Sequence, residues 1–306
     1  MNCPTPGTTK IDLSAILTPL LLAYANKITF PWPLDSILDG AEVGDIFFRT
    51  DALPLWSTTD IKKTLLSLSE IGISNIQTED FVSVLGSSEN LQAFLHNSVG
   101  VILILDQAPR YLCKGIHARY IYDYFGVFAR DLTSYFLSLP PSHNPFNLQT
   151  WLNAGIDISH AFLRISMLMA PLCHSDDPKD HRLHLKFTES VRSFYEQVTF
   201  TKDPYREDFS KDMRDIYLFA NILKQGPPQG RVGIEQFVYW IMRYFTSHVA
   251  YVDRFERSPF RNCAVGRDDR EDEKEWLVYC GVESDEVVRE TIRIDVESGR
   301  WTPLEV

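Results

Sequence analysis

Residues 91–110 read LQAFLHNSVGVILILDQAPR and contain the strongest helical signal of the chain. From residue 99 to residue 105 the side chains are apolar almost all round a helix, which is typical of a helix enclosed by the structure. Asp106 and Gln107 then interrupt the apolar run, and Pro109 either kinks the helix or begins the next one because it has no N–H. The pattern predicts a central helix that ends in buried polar side chains.

The rest of the chain carries helical periodicity almost throughout, after a disordered lead over residues 1–10. We predict helices over residues 11–26 (interrupted or begun near Pro19), 58–71, 79–85, 120–137, 148–169, 183–200, 209–224, 234–256 and 272–279. Only residues 291–296 alternate like a strand. The prediction is an all-α, multi-helix single domain: an N-terminal arm and helix over residues 1–30, a main helical domain over 31–285 and a short extended C-terminal tail over 286–306.

The composition excludes several classes of partner. The 30 Lys and Arg against 41 Asp and Glu leave a net charge of −11, which argues against binding to nucleic acid or to an anionic membrane surface. Five scattered cysteines without a C-x-x-C pair predict free thiols in a reducing compartment. No apolar run approaches the roughly 18 to 20 residues of a membrane span, and no secretory leader is visible. We expect a cytoplasmic protein without a membrane span, and its oligomeric state stays open.

Asp106 is the first candidate site residue. If the helix continues, Arg110 lies one turn further on and pairs with it. One interpretation is a buried structural salt bridge. The other is a catalytic carboxylate whose pKa is tuned by burial and by the arginine, with Gln107 and Arg110 binding a substrate.

Residues 171–177, PLCHSDD, supply an imidazole. His174 follows the end of a helix, where the dipole favours the cation, and it is a candidate general acid or base near neutral pH. His181 and His184 follow among acids, so a metal site is an alternative. Their spacing matches no familiar zinc pattern, and residues 176–178 are equally typical of a helix N-cap, so we expect no metal and no cofactor.

Residues 248–267, HVAYVDRFERSPFRNCAVGR, close the longest predicted helix. The arginines here either cap the helix end or hold an anionic group by paired hydrogen bonds. His248 is either a core residue whose ring nitrogens are hydrogen-bonded or a catalytic residue. The candidates of this stretch are His248 as a catalytic residue and Tyr251, Arg254, Arg257, Arg261, Asn262 and Arg267 as substrate-binding residues.

Together these stretches resemble the mostly bacterial domain-of-unknown-function family 924, over about residues 95 to 280. The family pattern runs LLDQFPRN, RGxxxAFxxD, PLEHSED and HxxxIxRFGRFPHRNxxLGR, with a glutamate before the last helix that matches Glu273. The resemblance implies an all-helical, tetratricopeptide-like fold and a shared site, but no reaction. The chain departs from the pattern at Cys173, His181, Glu256 and Phe260, which suggests an altered ligand or chemistry.

Two functional hypotheses follow. The chain has no P-loop, no dinucleotide-binding glycine motif and no G-x-S-x-G, which leaves acid–base chemistry without a cofactor. An enzyme of this kind would be a cyclase, isomerase, dehydratase (lyase) or hydrolase acting on a small organic molecule, anionic or aromatic or prenylated, in secondary metabolism. Asp106 or His174 would move a proton, while Arg257 and Arg261 would stabilise negative charge. The alternative is a non-catalytic helical binding or scaffold protein whose polar motifs lock helices together.

Overall fold

Helices supply the regular structure of residues 11–87 and 89–306, the part of the chain that the computed structural model describes. Within these ranges there is no strand, only an isolated bridge between Asp39 and Gly233. The all-α, single-domain prediction is therefore confirmed. The predicted lead over residues 1–10 lies outside the described residues, and the tetratricopeptide-like packing stays a prediction.

The first half of the chain forms α1 Pro19–Thr29, α2 Gly40–Phe47, α3 Leu53–Trp56, α4 Thr59–Ile71, α5 Thr78–Val82, α6 Leu91–Ile102, α7 Ala108–Leu112 and α8 Gly126–Ser138. The second half forms α9 Leu148–Asn153, α10 Ile158–Cys173, α11 Pro178–Thr199, α12 Phe209–Asp212, α13 Leu218–Gln225, α14 Ile234–Phe255, α15 Glu271–Cys280 and α16 Glu286–Glu297. Short 3₁₀ turns lie at Gly115–Ala118, Pro259–Arg261 and Cys263–Val265.

Several helix starts follow from local chemistry. Pro19 begins α1 because its missing N–H is not needed in the first turn, and the Thr18 hydroxyl accepts from the Leu21 amide. The segment before Pro19 is not helical, so the helix begins at the proline rather than continuing through it. The Thr58 hydroxyl caps α4 by accepting from the Ile61 amide. Asp177 caps α11 by accepting from the Lys179 amide, which supports the N-cap interpretation of residues 176–178.

The predicted extended C-terminal tail is wrong over its first half. Residues 286–297 form α16, whose start is capped by the Asp285 carboxylate accepting from two backbone amides. A spacing of three residues places Arg289 and Ile292 on one buried face, while Ile294 is 47% exposed. Six alternating residues are compatible with the period of a strand and with that of a helix. The N-cap at Asp285 favours the helix. Within the predicted tail, residues 286–306, only 300–306 lack helical or turn structure.

α6 and α10 form the centre of the molecule. α10 is buried along nearly its whole length and packs against α6, α8, α9, α11 and α14. The apolar run at the end of α6 has no solvent-exposed side chain from Val101 to Leu105, as the sequence predicts. α1, predicted as part of an N-terminal arm, packs against α6. None of the described helices is both long and apolar enough to cross a bilayer.

Two π-helical turns interrupt this regular packing. The first, Leu103–Gln107, joins α6 to α7, and the Ala108 N–H donates to the Leu103 carbonyl five residues back. The second, Tyr120–Phe125, leads into α8, where the Gly126 N–H donates to the Ile121 carbonyl. A π turn inserts one residue and rotates the side chains that follow, and such turns are frequent at functional sites. These two turns carry Asp106 and the segment with Tyr122 and Asp123.

Gly126 is required by the second π turn. A β-carbon at this position would lie 2.5 Å from the Ile121 carbonyl oxygen, which the turn holds in place. We expect Gly126→Ala to lower the free energy of unfolding by about 2 kcal/mol, measured by urea denaturation. Ser134→Ala, on the exposed face of the same helix, is the control and should change it by less than about 0.5 kcal/mol. Equal stability of the two variants would show that the turn relaxes freely.

Candidate active site

The Asp106 carboxylate is the centre of the site. It lies on the first π turn, and the residue is 1% exposed. The carboxylate accepts from Gln107 Nε2 at 2.5 Å and from Arg110 Nη2 at 3.2 Å. His174 Nδ1 lies 3.0 Å from each of its oxygens. Burial alone would raise the pKa of Asp106, but Arg110 and His174 together hold it well below its usual range, so the group is ionised.

His174 contacts the buried Asp106 and is itself partly exposed. It ends α10, and its side chain is 23% exposed. Burial and the Arg110 charge lower its pKa below the usual histidine value, outweighing the attraction of Asp106. From its position at the end of a helix we expected the cation to be favoured, but the pKa of His174 is lowered. Because an ionised carboxylate only accepts hydrogen bonds, Nδ1 carries the proton and Nε2 keeps a free lone pair.

Three adjoining cavities meet at Arg110 and His174, which line all of them. The first, about 430 Å³ with its open mouth, lies between Asp106 and the second π turn. The second, about 820 Å³ with the open solvent at its mouth, lies beside α1, α2 and α3, and we call it the α2–α3 cleft. The third, also about 820 Å³ with its open solvent, lies against α13 and α14. Arg110 and His174 therefore face a hollow on the side away from their contacts with the buried Asp106 carboxylate.

Arg261 reaches the same hollow from the opposite side. Its Nη2 lies 3.7 Å from Asp123 Oδ1, and its guanidinium lies 4.8 Å from the centre of the Tyr122 ring. The Arg110 guanidinium lies 5.5 Å from that ring centre. The Nε atoms of Arg110 and Arg261 are buried without a hydrogen-bond partner among the described residues. Two cations thus converge on the hollow, Arg110 paired with Asp106 and Arg261 3.7 Å from Asp123.

Sequence reasoning missed Tyr122 as a site residue. Its ring contacts both guanidinium groups, and it lines the first and third cavities. The available signal was its position next to Asp123, inside a segment that matches the family pattern. The π turn that aims both residues has no sequence signature, so their orientation was not predictable.

His248 and Tyr251, both on α14, line the third cavity. His248 Nδ1 donates to the carbonyl oxygens of Tyr244 at 3.2 Å and Phe245 at 3.1 Å. Burial, together with nearby histidines, holds the pKa of His248 well below its usual value. Its ring centre is 6.4 Å from that of His174. His248 is thus a neutral wall residue whose Nδ1 is satisfied within its own helix.

Four predicted substrate-binding residues lie outside the walls of the three cavities: Arg254, Arg257, Asn262 and Arg267. Two nitrogens of Arg257 donate to the Glu273 carboxylate, both at 2.6 Å. Asn262 Nδ2 donates to the same carboxylate at 3.0 Å. Arg267 pairs with Asp176 and donates to the Ser258 carbonyl at 3.2 Å. Arg254 pairs with Asp272 at 3.1 Å near the surface. Their contacts fit the structural interpretation, and their placement gives no support to substrate binding.

The metal alternative rested on His181 and His184. His181 Nε2 lies 3.0 Å from the Ser175 carbonyl, and His184 Nε2 lies 3.5 Å from the Thr188 hydroxyl. Both residues are fully buried in α11. In the described part of the chain, no three His, Cys, Asp or Glu side chains stand together as possible ligands of one metal ion. Their polar contacts are those of core histidines.

The buried histidines predict loss of stability in acid. The pKa of His184 is about 3, because of burial and neighbouring histidines, and that of His248 is also far below 6.5. Between pH 6.5 and about pH 3, the unfolded chain binds protons that the folded protein does not, so stability falls as pH drops through 6.5. We expect these two residues to lower the free energy of unfolding by about 3 kcal/mol between pH 7.5 and pH 5.5.

Urea denaturation at the two pH values measures the total loss, to which His96, with a pKa of about 4, also contributes. His184→Leu should remove about 1.4 kcal/mol of it. Stability that is constant or higher at pH 5.5 would contradict the prediction. His143→Leu is the matched control, because His143 lies at the surface, bonded to Ser142.

Comparison with known proteins yields one result. No curated protein and no solved structure matches the chain. The model of the family described as "Bacterial protein of unknown function (DUF924)" matches residues 84–281, which is more than half of the 306 residues. The match includes the Asp106, His174 and Arg261 segments that meet at the hollow, in agreement with the resemblance seen in their motifs. The chain therefore belongs to this DUF924 family.

Proposed function

We propose that this protein is an enzyme that moves a proton on a small organic molecule, as an isomerase, cyclase or lyase does. The single observation that carries the proposal is the Asp106–His174 pair, which faces an open hollow beside two guanidinium groups. His174 is the catalytic base and, once protonated, the acid. Asp106 is the positioning residue.

The roles of these two residues follow from their protonation. A carboxylate that accepts from Nδ1–H holds the imidazole in one tautomer, leaves Nε2 basic and stabilises the imidazolium that forms. Asp106 itself has a pKa far below neutral and holds no proton to donate. The earlier alternative, in which Asp106 exchanges the proton, is therefore the weaker one. A positioned base of this kind contributes roughly 10² to 10⁴ in rate.

Arg110 and Arg261 are the groups that would stabilise negative charge on the substrate. Hydrogen-bond donors fixed in advance around a developing oxyanion are most effective where water is excluded. Sequence reasoning assigned this role to Arg257, but Glu273 engages that side chain. Arg110 takes its place because it lines all three cavities.

Proton transfer is a better fit than covalent catalysis by cysteine. Cys173 lines the third cavity, but burial raises the pKa of its thiol well above the usual value. A protonated thiol is a poor nucleophile. The scaffold hypothesis requires polar groups that only pack against one another, as Arg257 does with Glu273 outside the hollow. Arg110 and His174 pack against Asp106 as well, but they also line the three cavities.

The biological setting is also a proposal. Family motif residues are changed at Cys173 and Phe260, both of which line the third cavity, while Asp106 and His174 match the family pattern. This combination favours a tailoring step on a substrate particular to this chain, such as one in secondary metabolism. The four described cysteines are all free, which fits a cytoplasmic location.

Comparison of metabolites in cells with and without the gene tests the function. We expect loss of one compound and accumulation of a precursor with the same elemental composition, or with one additional water. Both outcomes follow from acid–base chemistry, and wild-type protein added to the accumulated precursor should convert it. A precursor that differs by a redox change or by a transferred group, or an unchanged metabolite profile, would contradict the proposal.

A further inference from the structure

The α2–α3 cleft combines two properties that are unusual in an acidic protein. The chain has 41 Asp and Glu residues, yet none of them lines this cleft, whereas Arg49 and Arg110 do. Most of the remaining wall is aromatic or aliphatic and includes Phe47, Phe48, Trp56, Met167, Ile241 and Phe245. A cleft with cations and apolar surface but no carboxylate favours a ligand that is itself anionic and largely apolar.

Arg49 is the cation that the proposed reaction does not use. Its Nη2 donates to the Ile28 carbonyl at 2.9 Å, and it forms no ion pair with a carboxylate of the described residues. A guanidinium has five N–H donors, so most of them stay available to a ligand. Arg49 lies two residues after the end of α2 and is only partly exposed. It is therefore a partly desolvated cation on the cleft wall.

The apolar wall is rigid. The Phe48 ring packs edge-on against Trp240 at 5.0 Å and Tyr244 at 5.2 Å. The Trp56 ring stacks on Tyr111, with ring centres 5.7 Å apart. These contacts hold flat surfaces in place around the cleft, which reduces the entropy lost when an apolar ligand binds.

We propose that the ligand of this cleft is an anionic molecule with an extended apolar body, whose anionic group Arg49 binds while the body lies against Phe48 and Trp56. That this ligand is also the substrate rests on the proposed function. His174 and Arg110, which we propose act on the substrate, line the same cleft. Residues 46–56 precede the matched family region, so this part of the wall is not covered by the family match. The chemical class is a carboxylate or enolate on an aliphatic or aromatic skeleton.

Calorimetric titration of the full chain with three probes tests the proposal: decanoate, decanol and acetate. Decanoate carries both features, decanol lacks the charge and acetate lacks the body. We expect decanoate to bind at least ten times more tightly than either of the others. Equal affinity for decanol, equal affinity for acetate, or no binding of decanoate would overturn the proposal.

Variants locate the two contacts. Arg49→Gln should weaken decanoate binding about tenfold or more and leave decanol unchanged, since a hydrogen bond between charged groups is lost. Phe48→Leu should weaken both ligands by several-fold with little effect on folding. Arg182→Gln, at an exposed surface pair with Asp253, is the matched control and should change nothing. Unchanged decanoate affinity in folded Arg49→Gln would overturn the proposal.

Failure of this inference can be told apart from failure of the proposed function. His174→Asn should bind decanoate as tightly as wild type while losing turnover. If decanoate binds in the expected pattern but the protein converts no metabolite, the cleft inference stands and the catalytic proposal falls. If metabolites are converted but Arg49→Gln does not change the affinity for decanoate, the catalytic proposal stands and the cleft inference falls.

Discussion

Replacing His174 with asparagine should reduce the rate of product formation by roughly 10² to 10⁴. The asparagine amide occupies the place of Nδ1–H and can continue to donate to Asp106, so that the buried carboxylate keeps a hydrogen bond. What the substitution removes is Nε2, the basic atom that faces the hollow. The rate is measured with purified protein on the precursor that accumulates in cells without the gene.

Two comparisons make the His174 result specific. His143→Asn changes a surface histidine that hydrogen-bonds to Ser142, and it should retain the wild-type rate. Thermal unfolding should show that His174→Asn is folded, because the variant retains a donor to Asp106. A folded His174→Asn protein with the wild-type rate would remove His174 from the mechanism.

Replacing Asp106 with asparagine should have the largest effect on stability. The carboxylate is 1% exposed and compensates Arg110, so its loss leaves a partly buried cation without its counter-charge. Removing one partner of a buried ion pair costs about 3 to 5 kcal/mol. The free energy of unfolding in urea measures the change. Asp253→Asn, which breaks an exposed ion pair with Arg182, should cost less than about 1 kcal/mol.

A double-mutant cycle identifies the source of the Asp106 effect. If the uncompensated Arg110 charge causes most of the loss, Asp106→Asn combined with Arg110→Gln should be less destabilising than the sum of the two single changes by at least about 1 kcal/mol. Strict additivity, or a loss below about 1 kcal/mol in Asp106→Asn alone, would show that the pair does not stabilise the fold.

The sequence predicts two kinds of contact in this site: contacts between residues close together in the chain, and contacts between motifs that the family resemblance links. The Asp106–Arg110 pair follows from a spacing of four residues in a helix, and the structure contains it at 3.2 Å. That His174 contacts Asp106, 68 residues away, follows from motifs known to occur together and not from any periodicity.

The errors have physical causes as well. Arg257 was expected at the hollow because the sequence could not show that Glu273, 16 residues further on, would engage it. The C-terminal helix was missed because six alternating residues satisfy two periodicities, and the deciding cap at Asp285 precedes them. The π turns follow from tertiary packing, so the orientation of Tyr122 was beyond sequence reasoning. The apolar wall at residues 46–56 carries no motif at all.

The protonation state of His174 tests the central claim most directly. ¹⁵N NMR of histidine-labelled protein, with the His174 signals assigned by their loss in His174→Asn, reports both the tautomer and the titration. We expect a neutral ring with the proton on Nδ1 and a midpoint below the usual histidine value. A proton on Nε2, or a ring that stays charged above neutral pH, would contradict the claim that His174 presents a free basic nitrogen to the hollow.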